Sequence, residues 1–187
     1  MKRWVLIFAF FGSISSILFA QGEEHRIYWS EDYKLKWTDF DMTPERFSKY
    51  AAFSVTGYTG EYEFTQEQYK VNIRTFFDKN ESWSKSWTSI LLLHEQGHFD
   101  LAEIYGRKFR EKIKAEMDTG TITPEKFQEI NDEILARLEE AQKEYDQATN
   151  LSMNYRAQLE WTNRILEQLE ALKEYSNPEI IVKRPQN

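Results

Sequence analysis

The hydrophobic period of this chain changes once, near residue 87, and that change limits the folds open to it. From Ile27 to Phe77 the pattern has period two. Tyr33, Leu35 and Trp37 alternate with Lys34 and Lys36, Phe53 and Val55 with Ser54 and Thr56, and Tyr69, Val71, Ile73, Thr75 and Phe77 with Lys70, Asn72 and Arg74. Alternation in segments rich in β-branched and aromatic residues marks half-buried strands. Turn-forming residues at Asp39 to Pro44, at Gly57 and Gly60, and at Thr65 to Gln68 separate them, and Tyr62 and Phe64 extend the second strand into a hairpin with the third. Beyond Trp87 the period is helical: His94, His98, Leu101, Tyr105, Phe109 and Ile113 share one stripe. A first helix is predicted from about Thr88 to Met117. Thr123-Pro124-Glu125 then supplies an N-cap, a first-turn proline and an early acid for a second helix. Its stripe is Phe127, Ile130, Ile134, Leu138, Ala141 and Tyr145. After a break at Asn150 to Asn154, a third helix carries Tyr155, Leu159, Leu166, Leu169 and Leu172. Strands followed by helices, rather than alternating with them, predict an α+β fold: a small antiparallel β-sheet of three to four strands packed on a C-terminal bundle of three helices. Residues 178–187, with Pro178 and Pro185, read as a flexible tail.

The first twenty residues stand apart. Lys2 and Arg3 precede an unbroken apolar run from Trp4 to Phe11, which Gly12 to Ala20 continue with small residues and serines. This is the layout of a secretory signal peptide, here residues 1–20, with cleavage after Ala20. The alternative, an uncleaved membrane anchor, needs a longer apolar run. The chain has no cysteine, so neither a lipid-modified cysteine nor a disulfide framework is available to it. Export to the periplasm or the extracellular space leaves 167 of the 187 residues and a single domain over residues 21–177. Loss of Lys2 and Arg3 lowers the basic count from 24 to 22 against 31 acids and moves the formal charge from −7 to −9. So acidic a chain, with no basic cluster, excludes nucleic acid and anionic lipid as partners. After signal cleavage no other stretch is apolar enough to cross a membrane.

The densest chemistry lies on the first predicted helix, in His94-Glu95-Gln96-Gly97-His98. Residues four apart lie on one helix face, one turn above the other. Two imidazoles so placed reach one Zn²⁺ ion, and the glutamate between them is offset to address a metal-bound water. Two of the three histidines of the chain are here; the third, His25, reads as an exposed residue near the cleavage site. The competing reading makes the pair core histidines with locally satisfied nitrogens. Gly97 argues against it, because a mid-helix glycine costs about 1 kcal/mol relative to alanine and leaves room for a ligand.

The short turn near Gly120 makes the first two helices antiparallel. Residues equidistant from the turn then stand at one height, so His98 faces about Lys143 and His94 about Gln147. Tyr145, Asp146 and Thr149 are level with the pair, and the break near Ser152 returns Gln158 and Trp161 to it. A zinc site needs a third protein ligand, and Asp146 is the best-placed acid; the alternative for it is a solvated helix-end acid. Tyr145 is a candidate substrate or oxyanion donor, or else a packed stripe residue. Asp100 and Glu103 point around the helix from the histidines and are expected in the second shell or at the surface. Trp29, Trp37, Trp83 and Trp87 read as core or sheet-face packing.

The surroundings of the motif carry a resemblance. Leu91-Leu92-Leu93 before it, Phe99-Asp100 after it, then Ala102-Glu103-Ile104-Tyr105 and Arg107-Lys108 resemble a family of bacterial secreted proteins known as domain of unknown function 922. That family is described as predicted zinc-dependent proteases. Leu35-Lys36-Trp37-Thr38-Asp39-Phe40, Ala51-Ala52 with Thr56-Gly57, Phe77 with Ser82-Trp83, and Tyr145-Asp146, Thr149, Gln158 and Trp161 resemble its other elements, in order. The resemblance implies a zincin-like metallopeptidase with Zn²⁺ as cofactor and a peptide or protein as substrate. In it His94 and His98 hold the metal and Glu95 activates a zinc-bound water, while a strand of the sheet pairs with the extended substrate. One position departs from the family pattern, which places a histidine where this chain has Leu151. Leucine cannot bind zinc. Either Asp146 or another acid completes the site, or metal binding is weak, or the chain is an inactive relative acting as a non-enzymatic extracytoplasmic binding module.

Overall fold

A computed structural model describes residues 24–185. The signal segment at residues 1–20 lies outside the described residues. The architecture is α+β: a four-stranded antiparallel sheet and three helices. The strands are β1 (Arg26–Tyr28), β2 (Ala52–Phe64), β3 (Gln68–Ser84) and β4 (Glu179–Lys183), and the helices are α1 (Ser89–Thr119), α2 (Pro124–Thr149) and α3 (Tyr155–Ala171). None of the described helices is long and apolar enough to cross a membrane.

β3 is the spine of the sheet. It pairs with β2 along one side, while β1 and β4 lie end to end along the other, at Phe76 to Asp78 and at Gln68 to Asn72. The tail expected to be loose therefore contributes a strand. Ile180 and Val182 alternate inward against the main core cluster, and the prolines fall outside the strand. Gly57 and Gly60 make no turn. They lie within β2, where a Cβ would come within 3.5 Å of the Phe76 ring and 3.2 Å of the Phe127 ring, so both positions leave space for aromatic packing.

The segment around Leu35 alternates as a strand would, but it is not one. Leu35 is buried against Phe77 and Phe99, and its N–H donates to the Gln96 side chain at 2.8 Å instead of to a neighbouring strand. Trp37–Asp39 then forms a short 3-10 turn. Buried backbone groups need partners; here a helix side chain supplies what a ladder would have.

Helix ends follow the caps visible in the chain. Thr88 caps α1, whose end is closed by Gly120 at φ 74°, and Thr123 caps α2 with Pro124 in its first turn. α1 sits between the sheet and the other two helices. Phe109, Ile113 and Met117 pack on Val71 and Ile73 of β3 and Phe127, Ile130 and Ile134 of α2, and Leu101 and Ile104 meet Tyr145, Ile165 and Leu169. Being covered on most sides, α1 also buries a run of polar groups. Asp100 accepts from Trp29 Nε1 (2.8 Å) and Gln96 Nε2 (2.9 Å), and Glu103 pairs with Arg107 (2.9 Å) and Arg110 (2.5 Å). Asp100 and Glu103 are thus neither surface residues nor partners of the histidines. Asp100 ties α1 to Trp29, while Arg107 and Arg110, held by Glu103, tie it to the C=O groups of Leu169 and Ile73. Of the four tryptophans expected to pack, Trp83 is buried and Trp29 and Trp37 are half-buried, but Trp87 is 76% exposed.

Candidate metal centre

The antiparallel packing of α1 and α2 brings three donors together. His94 Nε2 and His98 Nε2 are 3.2 Å apart, and Asp146 Oδ1 of α2 lies 3.3 Å from the first and 3.0 Å from the second. A tetrahedral ion with bonds of about 2.0–2.1 Å spaces its ligands by about 3.3 Å. The triangle already has that size, so the three residues fit a metal ion without rearrangement. Among the described residues this is the group of histidine and acid side chains that could hold one. The facing residues lie within two of those that a regular hairpin would give: His98 meets Gln142 rather than Lys143, and His94 meets Thr149 rather than Gln147.

The electrostatics follow from the geometry. Burial works against a charged His98, but the Asp146 hydrogen bond and the charges of Glu95 and Asp146 outweigh it, and the pKa of His98 is raised above its ordinary 6.5. Burial alone would raise Asp146, yet its bonds to the two histidines win and hold it well below the usual carboxylate range. Each shift is one side of the same contact.

Glu95 is buried at the inner end of a cleft of about 550 Å³ that the triad also lines. Its Oε2 accepts from Ser54 Oγ of β2 at 2.5 Å. That contact lies beside a break in sheet register. The pairing passes from Phe53 opposite Trp83 to Val55 opposite Asp78, so β3 bulges at residues 79–82. Ser82 closes the bulge, its hydroxyl donating to Asp78 C=O (2.6 Å) and accepting from Val55 N–H (2.9 Å). Bulges next to sites re-aim side chains, and here Ser54 stands beside the break. The alternating pattern had put Ser54 on a polar, outward face. The cleft makes that face an interior one. Phe53, Trp83, Leu91 and Leu151 give the cleft its apolar wall.

Two further assignments change. Tyr145 does not line the cleft. It is buried, its hydroxyl donates to His94 C=O (3.2 Å) and accepts from Gln158 Nε2 (2.6 Å), and burial raises its pKa, with the Gln158 bond opposing. A phenol so engaged packs under the histidines and is not free to meet an oxyanion. Gly97 makes room for that ring and not for a ligand, since a Cβ there would sit 2.2 Å from the Tyr145 oxygen. Leu151 lies at the rim of the cleft in a run of left-handed residues, Asn150, Leu151 and Ser152, with φ of 48°, 52° and 73°. With Asp146 in place, the donor triangle does not need a ligand from that position.

The fold and the site together define an α+β domain that carries two histidines and one aspartate able to hold a metal ion beside a buried glutamate. The chain belongs to the family described as bacterial protein of unknown function, DUF922, whose model matches residues 21–154. No curated protein and no solved structure matches it.

Proposed function

We propose that this chain is a zinc-dependent metallopeptidase working outside the cytoplasm on peptide or protein substrates. The donor triangle of His94, His98 and Asp146, opening on a cleft that ends at Glu95, carries the reading. A bound zinc ion supplies Lewis acidity, polarising a carbonyl and lowering the pKa of water towards about 7. The residues of the chain do the rest. Ser54 holds one oxygen of Glu95, leaving the other to take the proton of an attacking water and pass it to the leaving amine. The backbones of Ala51 and Val55 bond toward β3, so by alternation those of Ala52 and Ser54 face outward. Among the described residues β2 has no strand on that side, and an extended substrate can pair with it there beside Glu95.

The test combines metal analysis with one substitution. The purified chain is expected to hold one zinc per molecule, and Glu95→Gln to keep the zinc while losing hydrolysis by about 100-fold or more. Equal peptidase activity in the variant would end the mechanism. Leu151 at the cleft rim favours a second reading, a non-enzymatic binding module with the same cleft. That reading expects no metal and full stability in chelator.

A further inference from the structure

Each histidine of the triad is held at its ring by a glutamine from another helix, which also reaches its backbone carbonyl, directly for His98 and through Tyr145 for His94. Gln142 of α2 meets His98 Nδ1 with its Oε1, and its Nε2 donates to the backbone C=O of His98 at 2.9 Å. Gln158 of α3 meets His94 Nδ1 with its Oε1 at 3.1 Å, while its Nε2 donates at 2.6 Å to the Tyr145 hydroxyl, which donates in turn to the C=O of His94. Both amides are buried. A carbonyl only accepts, so the NH₂ end of Gln142 must face His98 C=O and its oxygen must face the ring. The hydroxyl proton of Tyr145 is committed to His94 C=O, which fixes Gln158 in the same way. An amide oxygen can only accept. Both Nδ1 atoms therefore carry the hydrogen.

The consequence lies at the opposite edges of the rings. With hydrogen on Nδ1, both Nε2 lone pairs converge with Asp146 Oδ1 inside a triangle of 3.0–3.3 Å edges. Three converging acceptors call for a cation. A ring free to change tautomer would instead place its hydrogen on Nε2 and donate to Asp146, and the triangle would close into an ordinary hydrogen-bonded cluster. Because the clamps are neutral amides, they hold the rings without drawing the proton from Nδ1 as a carboxylate would.

We infer that Gln142 and Gln158 are positioning residues that lock His98 and His94 in the Nδ1–H tautomer and so keep the triad open to a metal ion. The inference rests on the metal-site reading above. It also makes α3 part of the centre, although α3 lies beyond the matched family region at residues 21–154.

Two measurements test it on the full chain. The tautomers of metal-free protein are read by ¹⁵N NMR at a pH where both rings are neutral, and zinc affinity by competition with a chromophoric chelator. The wild type is expected to show Nδ1–H on both rings. Gln142→Leu should move His98, and Gln158→Leu His94, toward Nε2–H, each with a loss of about 10- to 100-fold in zinc affinity. Gln142→Glu, which keeps an acceptor at Nδ1 but loses the donor to His98 C=O, should leave His98 in the Nδ1–H tautomer. A purely structural role would lower the melting temperature and leave tautomer and affinity alone. If Gln142→Leu fails to fold, Gln142→Met, of similar length and without an amide, carries the comparison. Unchanged tautomers, or affinities within about twofold of wild type in both apolar variants, would overturn the inference. A zinc-loaded wild type that cleaves nothing would count against the peptidase reading alone, since neither measurement needs turnover.

Discussion

Ser54 and His98 show how single side chains set the chemistry of this cleft. The hydroxyl of Ser54 is the polar group that holds the Glu95 carboxylate, across 41 residues of chain. On the proposed peptidase mechanism, Ser54→Ala should leave zinc content and KM nearly unchanged and lower kcat by about 10-fold, because Glu95, as general base, would be free to rotate and lose part of its alignment; steady-state kinetics would show it, and Ser54→Thr should restore most of the rate. His98 carries the pH dependence. Its raised pKa means that the metal-free ring holds a proton to a higher pH than an ordinary histidine, and a metal ion must displace it. Zinc affinity should therefore fall as the pH drops through that raised value, and binding near neutrality should release a proton. Calorimetry in two buffers of different ionisation heat would measure the release, and identical heats would refute it. In the metal-free chain the sign is reversed. The His98 contribution to stability is full below its ordinary value and lost as pH rises through the raised one, while that of Asp146 is present above the ordinary carboxylate value and lost as pH falls through the depressed one. Between those limits the pair is intact. His94, Glu95 and His98 were legible in the sequence because a four-residue spacing on a helix is local, and Asp146 because a short turn makes a hairpin countable. Ser54 and Gln142 were not. Ser54 reaches Glu95 only through the packing of β2 on α1, 41 residues apart in the chain, and Gln142 depends on a one-residue offset that hairpin counting cannot resolve.

At the scale of elements, α1 explains why the expectations held for helices and failed for several short segments. Its caps at Thr88 and Gly120, and that of α2 at Thr123, are local chemistry, and the boundaries fell where those residues stand. Leu35 and β4 depend instead on what lies beside them: Gln96 satisfies a backbone N–H that would otherwise need a strand, and the edge of β3 recruits Glu179–Lys183. Asp100 and Glu103 went wrong for a related reason, because a helix covered by sheet and helices buries faces that an amphipathic pattern leaves to solvent. Gly97 joins this packing to the site. Alanine there would gain about 1 kcal/mol in helix propensity, but its Cβ would fall 2.6 Å from the Tyr145 ring carbon that bears the hydroxyl. Overpacking in a filled core costs about 1–3 kcal/mol, and the displaced phenol would also release Gln158 and the His94 carbonyl. Gly97→Ala should destabilise the chain in urea despite the better propensity, and weaken zinc binding as well. A variant more stable than wild type would mean that α1 and α2 can separate at that height without loss.

For the whole molecule the question is whether the metal holds the fold or the fold holds the metal. Small zinc domains unfold without their ion because they lack a core. This chain has one that the triad does not touch: β3, α1 and α2 close around Ile73, Phe109, Ile113, Met117 and Ile134 toward the Gly120 end of the helices. The donor triangle joins only α1 and α2, at their far ends from that turn. An ion bound there adds stability by mass action, about 2.7 kcal/mol at a free concentration 100 times Kd. For a domain of this size that corresponds to a melting shift of about 5–10 °C. Chelator should therefore lower the melting temperature by that order while leaving far-UV circular dichroism at 25 °C unchanged, and added zinc should restore it. Unfolding in chelator at 25 °C would make the ion structural. No shift at all would mean that the triad holds no metal in solution, and the glutamine-held histidines would then have to be explained by what the cleft binds.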